Sequence, residues 1–294
     1  MNVPFLKYKN IYYVFSGVLV IGSIVCLLLF GLTFGIDFLG GSILEVDFDM
    51  RPENPVIQEK LKDLNLGEII IQPTGENGVI LKLKDIDEET HQKLLSRLGE
   101  ISKVQEKRFE SIGPTIGKEL RQKTIILIII SLVALLVYIA IAFQKVSWPL
   151  SSWQYGIVSI ITLTFDVLIT ISVFALLGKL YNVQFTISIV TALLTILGYT
   201  INDKVIVFDR VRENLLKSRG ENFDNLVNRS LNETIWRSLS TGTCTLLVLF
   251  FIFFLGGETL KYFALTLIIG IIIGTYSSLF LASPLLVNWR GKKS

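Results

Sequence analysis

The twenty residues Thr124–Phe143 read TIILIIISLVALLVYIAIAF and contain no charged side chain. About 20 mainly apolar residues are enough for a helix to cross the hydrocarbon core of a bilayer. Five further apolar runs meet or approach this length. The sequence therefore predicts an α-helical polytopic membrane protein with six spans, at residues 11–32, 124–143, 157–177, 185–207, 238–255 and 261–287.

The composition of the whole chain agrees with a membrane protein. Of 294 residues, 51% are apolar and 18% are charged, against about 25% charged in ordinary soluble domains. The mean hydropathy is +0.59. The net charge of +3 is too small to indicate nucleic-acid binding. Cys26 and Cys244 both lie in apolar runs, so no disulfide framework is expected.

The distribution of basic residues predicts the orientation, because short cytoplasmic loops carry an excess of Lys and Arg. Only Lys179 and Lys261 fall in the short loops of one side. The other side is predicted to be cytoplasmic and comprises the termini 1–10 and 288–294, the loop after the second span, and the loop 208–237 with the end of the fourth span before it. Its basic residues are Lys7, Lys9, Lys145, Lys204, Arg210, Arg212, Lys217, Arg219, Arg229, Arg237, Arg290, Lys292 and Lys293.

The long segment 33–123 has the patterning of a soluble domain. Apolar residues alternate with polar ones at 44–48 and 79–83, and shorter strands are predicted at 69–71 and 104–109. Asn54 is predicted to cap one helix that ends at Gly67, and Asp87 to cap a second. The order β-α-β-β-α-β predicts an inserted, extracytoplasmic α+β domain of the ferredoxin-like kind. His91, the only histidine, is expected at its surface.

Polar residues inside the apolar runs recur at helical spacing. Asp166 lies near the middle of the third span, which contains no Lys or Arg of its own. Ionisable groups in a bilayer are costly, so they usually face a bundle interior or a wet path. The four stripes are Ser159, Thr162, Asp166 and Thr170; Gln184, Ser188, Thr191, Thr195, Gly198 and Asn202; Ser238, Thr241 and Thr245; and Thr266, Gly270, Gly274 and Ser277.

The stripes leave two interpretations of Asp166 open. It can be a permanently hydrogen-bonded structural residue, or it can bind a proton or Na⁺ as part of an ion path. Asp203 and Arg210 are seven residues apart on one helix face, which fits either a salt-bridged helix end or a role in coupling. The chain has no phosphate-binding loop and no His-Glu-x-x-His motif, so it is expected not to be an enzyme and to need no cofactor or metal.

Several motifs in order resemble the SecF family of protein translocase subunits. The most specific is GYTINDKVIVFDRVREN at 198–214; the others are GIDFLGG at 35–41, SIGPTIGKEL at 111–120, DVLIT at 166–170, the Gly256–Gly257 pair and GTYSS at 274–278. The motif residues are Gly35, Asp37, Phe38, Gly40, Gly41, Gly113, Pro114, Gly117, Gly198, Asp209, Gly256, Gly257, Gly274, Tyr276 and Ser277.

This resemblance implies one half of an RND-type transporter in the bacterial inner membrane. SecD would be the second six-span half, and the pair would use the proton or sodium gradient to promote preprotein translocation through the SecYEG channel. YidC and YajC are further candidate partners. The implied ion-path residues are Asp166, Asn202, Asp203, Arg210, Thr241, Thr243 and Thr245. Phe165 departs from the family, which usually has His there, and so removes one titratable group.

Two other functions remain open at this point. A small-molecule or lipid exporter of the same superfamily would need a large cavity in the outer domain, for which about 85 residues are few. A passive membrane scaffold would tolerate the replacement of every buried polar residue. An intramembrane aspartyl protease is disfavoured, because Asp166 and Asp203 lie in unlike contexts and no Gly-x-Gly-Asp motif occurs.

Overall fold

The computed structural model describes residues 3–67, 69–143, 151–217 and 221–290, with the backbone alone at 258–259. Lys145, Arg219, Lys292 and Lys293, which support the predicted orientation, lie outside the described residues. The chain forms helices α1 (Lys9–Phe30), α2 (Ile36–Leu39), α3 (Asn54–Leu61), α4 (Glu88–Gly99), α5 (Pro114–Ala142), α6 (Ser152–Tyr181), α7 (Ile187–Lys217), α8 (Phe223–Leu255), α9 (Glu258–Ser277) and α10 (Ser283–Arg290), and strands β1 (Gly41–Phe48), β2 (Ile70–Thr74), β3 (Gly78–Leu83) and β4 (Val104–Ile112).

The chain divides into two compact units. The helical unit comprises the residues up to Thr33, Ile126–Val183 and the chain from Ser188 onward. The second unit comprises Phe34–Ile125 together with the short segment Gln184–Ile187. The predicted division into a membrane bundle and an inserted domain therefore matches two separately packed bodies.

Six helices in the described part of the chain are long and apolar enough to cross a membrane. The last of them combines α9 and α10 across a π-helical turn at Ser278–Ala282. This finding agrees with the predicted fold class.

The observed helices are longer than the predicted spans. α7 continues to Lys217 and α8 begins at Phe223, so most of the segment 208–237 extends these two helices. Neither Gly nor Pro occurs between residues 199 and 219, so nothing in the sequence ends α7 at the membrane boundary. Likewise, α5 begins at Pro114, ten residues before its apolar run.

The second unit is built on a four-stranded antiparallel sheet with the order β2-β3-β1-β4. With α3 and α4 in sequence between the strands, this is the predicted ferredoxin-like arrangement. Leu44 of β1 pairs with Leu81 of β3. Both side chains are fully buried, as are Leu94 and Leu98 of α4, because alternate strand residues and one helix face meet in a single core.

Local details of this unit differ from the sequence prediction. Helix α3 starts at Asn54 with Glu53 at the N-cap, and Glu53 makes no side-chain capping bond. The chain then reverses at Asn65 in the left-handed conformation, two residues before the predicted stop at Gly67. Asp87 is the predicted cap of α4, and its carboxylate accepts a hydrogen bond from the Thr90 backbone N–H at 3.0 Å.

The predicted surface position of His91 is wrong. Its side chain is buried and its ring lies flat on the Phe109 ring, with 3.7 Å between ring centroids. Nδ1 lies 3.2 Å from a carboxylate oxygen of Glu88. His91 shares the inner face of α4 with Leu94 and Leu98, so its spacing of three and seven residues to those leucines already indicated burial.

The start of the chain is held by α8. The Val3 backbone N–H donates to Asn232 Oδ1 at 2.8 Å, and Asn232 Nδ2 donates back to the Val3 carbonyl at 2.9 Å. Phe5 is buried and packs on Phe280 with 5.8 Å between ring centroids. These bonds join two segments that are 229 residues apart in sequence.

Candidate functional site

A fully buried ion pair lies inside the helical unit. Lys204 Nζ of α7 donates to Asp166 Oδ2 of α6 at 2.9 Å, and neither side chain has any exposed surface. The same ammonium donates to Ser277 Oγ of α9 at 3.1 Å. Asp166 is therefore not the lone acid that the sequence of its own helix indicated.

Lys204 is a candidate site residue that the sequence prediction missed. It lies within the predicted fourth span but was counted among the cytoplasmic cations, and in the structure it is buried in the helix bundle. Its partner lies 38 residues earlier on another helix, and hydrophobic periodicity carries no information on such a pairing. The available signal was a lysine one helical turn after Thr200 within an apolar run.

The hydroxyl groups around Asp166 bond to their own helix. Ser159 donates to the Tyr155 carbonyl at 2.8 Å, and Thr170 donates to the Asp166 carbonyl at 2.7 Å. Thr162 donates in the same way to the Val158 carbonyl at 3.0 Å. This stripe is buried within the unit, so each of these hydroxyls is satisfied without an ion or a partner chain.

The polar stripe of α9 is also inside the unit. A Cβ atom at Gly274 would overlap the Thr200 side chain of α7, and one at Gly270 would overlap Ile196. The two glycines therefore allow α9 and α7 to approach closely, as small residues do at membrane helix contacts. This contact places Ser277 beside Lys204.

The stripes of α7 and α8, in contrast, are exposed in part. The exposed positions are Thr191, Thr195, Gly198 and Asn202 on α7 and Thr241 and Thr243 on α8. We call these six residues the polar face. Thr245 is half-buried at its edge, where its hydroxyl lies 3.1 Å from the Tyr199 hydroxyl. Of the predicted ion-path residues, Asn202, Thr241 and Thr243 belong to this face.

Asp203 lies behind the polar face. It is buried and faces the Ser238 hydroxyl of α8, although the Ser238 oxygen makes no hydrogen bond within the described residues. The positive charges of Lys204 and Arg237 both act on its carboxylate. Arg237 has no carboxylate within 4.0 Å in the described part of the chain, so it is a second cation that the sequence prediction did not single out.

Arg210 is held in a different network. Its guanidinium contacts Glu233 at 2.6 Å and Glu213 at 2.5 Å, and Asn214 donates to Glu233 at 2.8 Å. Among the described residues, the salt bridges of Arg210 are therefore with Glu213 and Glu233 and not with Asp203. Arg210, Glu213 and Glu233 line a cleft of about 400 Å³; Asp209, Thr234 and Arg237 also line it.

The two motifs that flank the second unit meet each other. A Cβ atom at Gly40, where φ is +80°, would lie 2.7 Å from Pro114 Cα. One at Gly117 would lie 2.9 Å from the Gly40 nitrogen. Glycine is required at both positions because backbone atoms leave no room for a side chain. Their neighbours Gly41 and Gly113 also lie here: Gly41 is next to the Leu83 carbonyl, and Gly113 is next to the Asp85 carboxylate.

Asp37 and its neighbours contact the segment Gln184–Ile187 of the same unit. Asp37 Oδ2 accepts a hydrogen bond from the Ile187 backbone N–H at 2.9 Å. The Gly35 N–H donates to the Phe185 carbonyl at 2.9 Å, and the Phe38 ring stacks on the Phe185 ring. A carboxylate at the first helical residue is favourable because helix N-termini carry partial positive charge.

The remaining motif residues have structural positions. Gly256 ends α8, where a Cβ atom would overlap the Ile252 carbonyl, and Gly257 precedes α9. The Tyr276 hydroxyl lies 3.1 Å from Ser16 Oγ of α1. Among the described residues, no group of three or more His, Cys, Asp or Glu side chains is arranged to hold a metal.

Two family models match the chain. The model described as Protein export membrane protein SecD/SecF, C-terminal, matches residues 91–292, and the SecD/SecF GG Motif matches residues 27–50. Protein translocase subunit SecF of Thermobaculum terrenum is 38% identical and covers 99% of this chain and 95% of its own length. The subunit of the same name from Desulfurispirillum indicum is 35% identical, with 98% and 92% covered.

Solved structures give the same result. SecDF from Thermus thermophilus, described as a translocon-associated membrane protein, matches with a TM-score of 0.86 at 30% identity. SecDF in a super-membrane-facing form matches with a TM-score of 0.72 at 31% identity. This chain is matched over 99% and 100% of its length but spans only 39% of each SecDF chain. On the family models and the near-complete translocase relatives together, the chain belongs to the SecD/SecF family of protein export membrane proteins.

Proposed function

We propose that this chain is one half of a twelve-span, ion-driven export complex in the bacterial inner membrane. A SecD-like six-span chain is the other half. The complex uses the proton or sodium gradient to promote the movement of preproteins through the SecYEG channel, with no ATP site in this chain. YidC and YajC are candidate additional partners.

The observation that carries this proposal is the exposure of the polar face. Thr195 and Thr241 donate to carbonyl groups of their own helices, but hydroxyl and amide groups that face lipid find no further polar partners there, and polar groups in hydrocarbon are costly. Transporters of this general design place their substrate and ion sites between two repeated halves. A second half that covers the polar face would satisfy these groups and create such an interface.

The ion path is proposed to run beside this interface. Asp203 is buried next to Asn202 of the polar face in the sequence of α7, and the fully buried Asp166 lies on α6, where it pairs with Lys204 of α7. Moving one elementary charge across 100 mV supplies about 2.3 kcal/mol. Several ions per cycle therefore supply enough free energy to drive a conformational change in the complex.

Cross-linking tests the interface. In a Cys26→Ser, Cys244→Ser background, Thr195→Cys and Thr241→Cys are expected to cross-link to a co-expressed SecD chain. Leu28→Cys is the matched control, because Leu28 is 81% exposed on α1, away from the polar face. Equal cross-linking of the control, or none from the polar face, contradicts the proposed partner surface.

Export in membrane vesicles tests the coupling. Asp203→Asn is expected to abolish the stimulation of preprotein export by an imposed ion gradient. Asp224→Asn, an exposed carboxylate at the start of α8, is the control and is expected to keep it. Full gradient stimulation in both Asp203→Asn and Asp166→Asn would favour the passive scaffold. In a scaffold, the Asp166–Lys204 pair would serve only to hold α6 and α7 together.

A further inference from the structure

The Lys204 ammonium group contacts buried oxygen atoms of the kind that also bind metal cations. Three membrane helices meet there, and Nζ contacts Asp166 Oδ2 at 2.9 Å and Ser277 Oγ at 3.1 Å. Both contacts are fully buried. An ammonium group and Na⁺ both carry one positive charge and both seek carboxylate and hydroxyl oxygens, so they compete for such a position.

Two further oxygens at this position have no hydrogen-bond partner among the described residues. They are Asp166 Oδ1 and Thr200 Oγ1, and both are buried. The Thr200 hydroxyl faces the Asp166 carboxylate. Buried polar atoms in native proteins are usually satisfied, so these two atoms mark the side of the carboxylate that remains open to a reactant.

We propose that Lys204 is a specificity-determining residue of the ion path, whose ammonium occupies the cation position beside Asp166 so that this carboxyl group accepts a proton but cannot bind Na⁺. The inference rests on the proposed function, in which Asp166 lies on the path. It selects one of the two ions that the proposed function leaves open.

A proton and Na⁺ differ in what they need at this site. A proton delivered from the gradient forms one O–H bond with Asp166 Oδ1, and the resulting carboxyl group can donate to Thr200 Oγ1. Lys204 keeps its three protons in this step. Na⁺ requires several oxygen ligands at once, and the ammonium already holds Asp166 Oδ2 and Ser277 Oγ.

Charge repulsion acts in the same direction. The Lys204 ammonium and a Na⁺ about 5 Å away, at an effective dielectric constant of 20, repel strongly enough to weaken Na⁺ binding by more than about 100-fold. Lys204 is the only charged group that acts on Asp166 among the described residues, and the groups that face it from α7 and α9 are the hydroxyls of Thr200 and Ser277.

Sodium-dependent thermal stability of the purified full-length chain tests this inference without any export assay. The melting temperature of the wild-type chain is expected to be equal in NaCl and in choline chloride of the same concentration. Lys204→Met is expected to melt a few degrees higher in NaCl than in choline chloride. Lys204→Gln serves as the alternative variant, since it removes the charge but keeps a polar end if Met is not tolerated.

Controls separate this effect from a general effect of charge. Lys204→Arg keeps the cation and is expected to remain insensitive to Na⁺, as is Lys179→Met, which removes an exposed lysine at the end of α6. A sodium-specific shift in the wild-type chain overturns the inference. So does the absence of any such shift in both the Met and the Gln variant.

Export driven by separate gradients tells failure of the inference apart from failure of the proposed function. Vesicles with the intact complex are expected to respond to an imposed proton gradient and not to a sodium gradient. A response to sodium overturns the inference and leaves the proposed function standing. Export that responds to neither gradient overturns both.

Discussion

At the scale of single residues, the Asp166–Lys204 pair places two opposite charges inside the helical unit. Two opposite charges with no exposed surface are stable only while both are present. Removing one partner from a buried pair leaves an uncompensated charge, which costs about 3–5 kcal/mol. Removing both can be close to neutral.

A double-mutant cycle checks this coupling. We expect Lys204→Met to lower the stability of the full-length chain by about 3–5 kcal/mol, and Asp166→Asn/Lys204→Met to recover most of the loss. The measurement is the midpoint of unfolding in detergent for the wild type, both single variants and the double variant. Additive losses would mean that the two side chains are not coupled.

Sequence patterns predicted one member of this pair and missed the other. Asp166 was identifiable because a carboxylate in a long apolar run needs either a polar partner or a wet path. Lys204 was not, because it lies near the end of a span where lysines are common on the cytoplasmic side. Which helices are neighbours decides whether such a lysine is solvated or buried, and helix neighbours are not encoded in the periodicity of one helix.

At the scale of elements, the contact between α7 and α9 depends on a missing side chain. We expect Gly274→Ala to destabilise the chain by about 1–3 kcal/mol, because its Cβ atom would overlap the stiff, branched Thr200 side chain. Gly17→Ala on α1 is the control, since nothing lies within 4 Å of its Cβ position. Thermal unfolding in detergent measures both, and equal melting temperatures would contradict the packing.

Helix α4 provides a prediction of pH dependence. Hydrogen bonds from Thr90 lower the pKa of Asp87. A lowered pKa means that the ionised cap stabilises α4 fully above the ordinary Asp value of about 4, and that this contribution is lost as the pH falls through the lower folded-state pKa. We therefore expect Asp87→Ala to speed amide exchange in α4 near neutral pH and to have little effect in strong acid.

Asp87→Asn separates the cap from its charge. Asn is as good an N-cap as Asp but does not titrate, so its protection of α4 is expected to lack the acid-dependent loss. Hydrogen exchange followed by mass spectrometry on peptides from α4 gives the result for the full-length chain. An acid-dependent loss of protection in Asp87→Asn equal to that in the wild type would exclude Asp87 as the titrating group.

Elements of the second unit were predictable because their patterns are local. The alternation at 44–48 and the cap at Asp87 each depend on a few neighbouring residues, and β1 and α4 occur where they indicate. Helix ends were less predictable: α7 extends past its apolar run because nothing stops it before residue 217. His91 was misjudged by its residue type, although its spacing to Leu94 placed it in the core.

At the scale of the whole molecule, the distribution of Lys and Arg predicts the orientation. In a chain without other cysteines, we expect Glu76→Cys, in the turn between β2 and β3, to react with a membrane-impermeant maleimide on intact cells. Asp224→Cys, at the start of α8, is expected to react only after permeabilisation. Both positions are exposed, so a reversed pattern would invert the predicted topology.

The sequence also predicted a partner at this scale, whereas the surface that we propose for it was identified only from the structure. Four polar stripes were visible in the sequence, but only those of α7 and α8 contain exposed polar residues. Those of α6 and α9 are covered within the chain. Periodicity identifies a face that avoids lipid, and three-dimensional packing alone distinguishes a face buried by the same chain from one left for another.

The pair of hydrogen bonds between Val3 and Asn232 has a consequence for biosynthesis. Ribosomes add about 5–20 residues per second, so Asn232 is made between about 11 and about 46 seconds after Val3. During that interval the Asn232 side chain that bonds to Val3 has not been synthesised, so the segment around Val3 is accessible to chaperones. Attachment of the amino terminus is thus a late event that marks a chain whose fifth span has arrived.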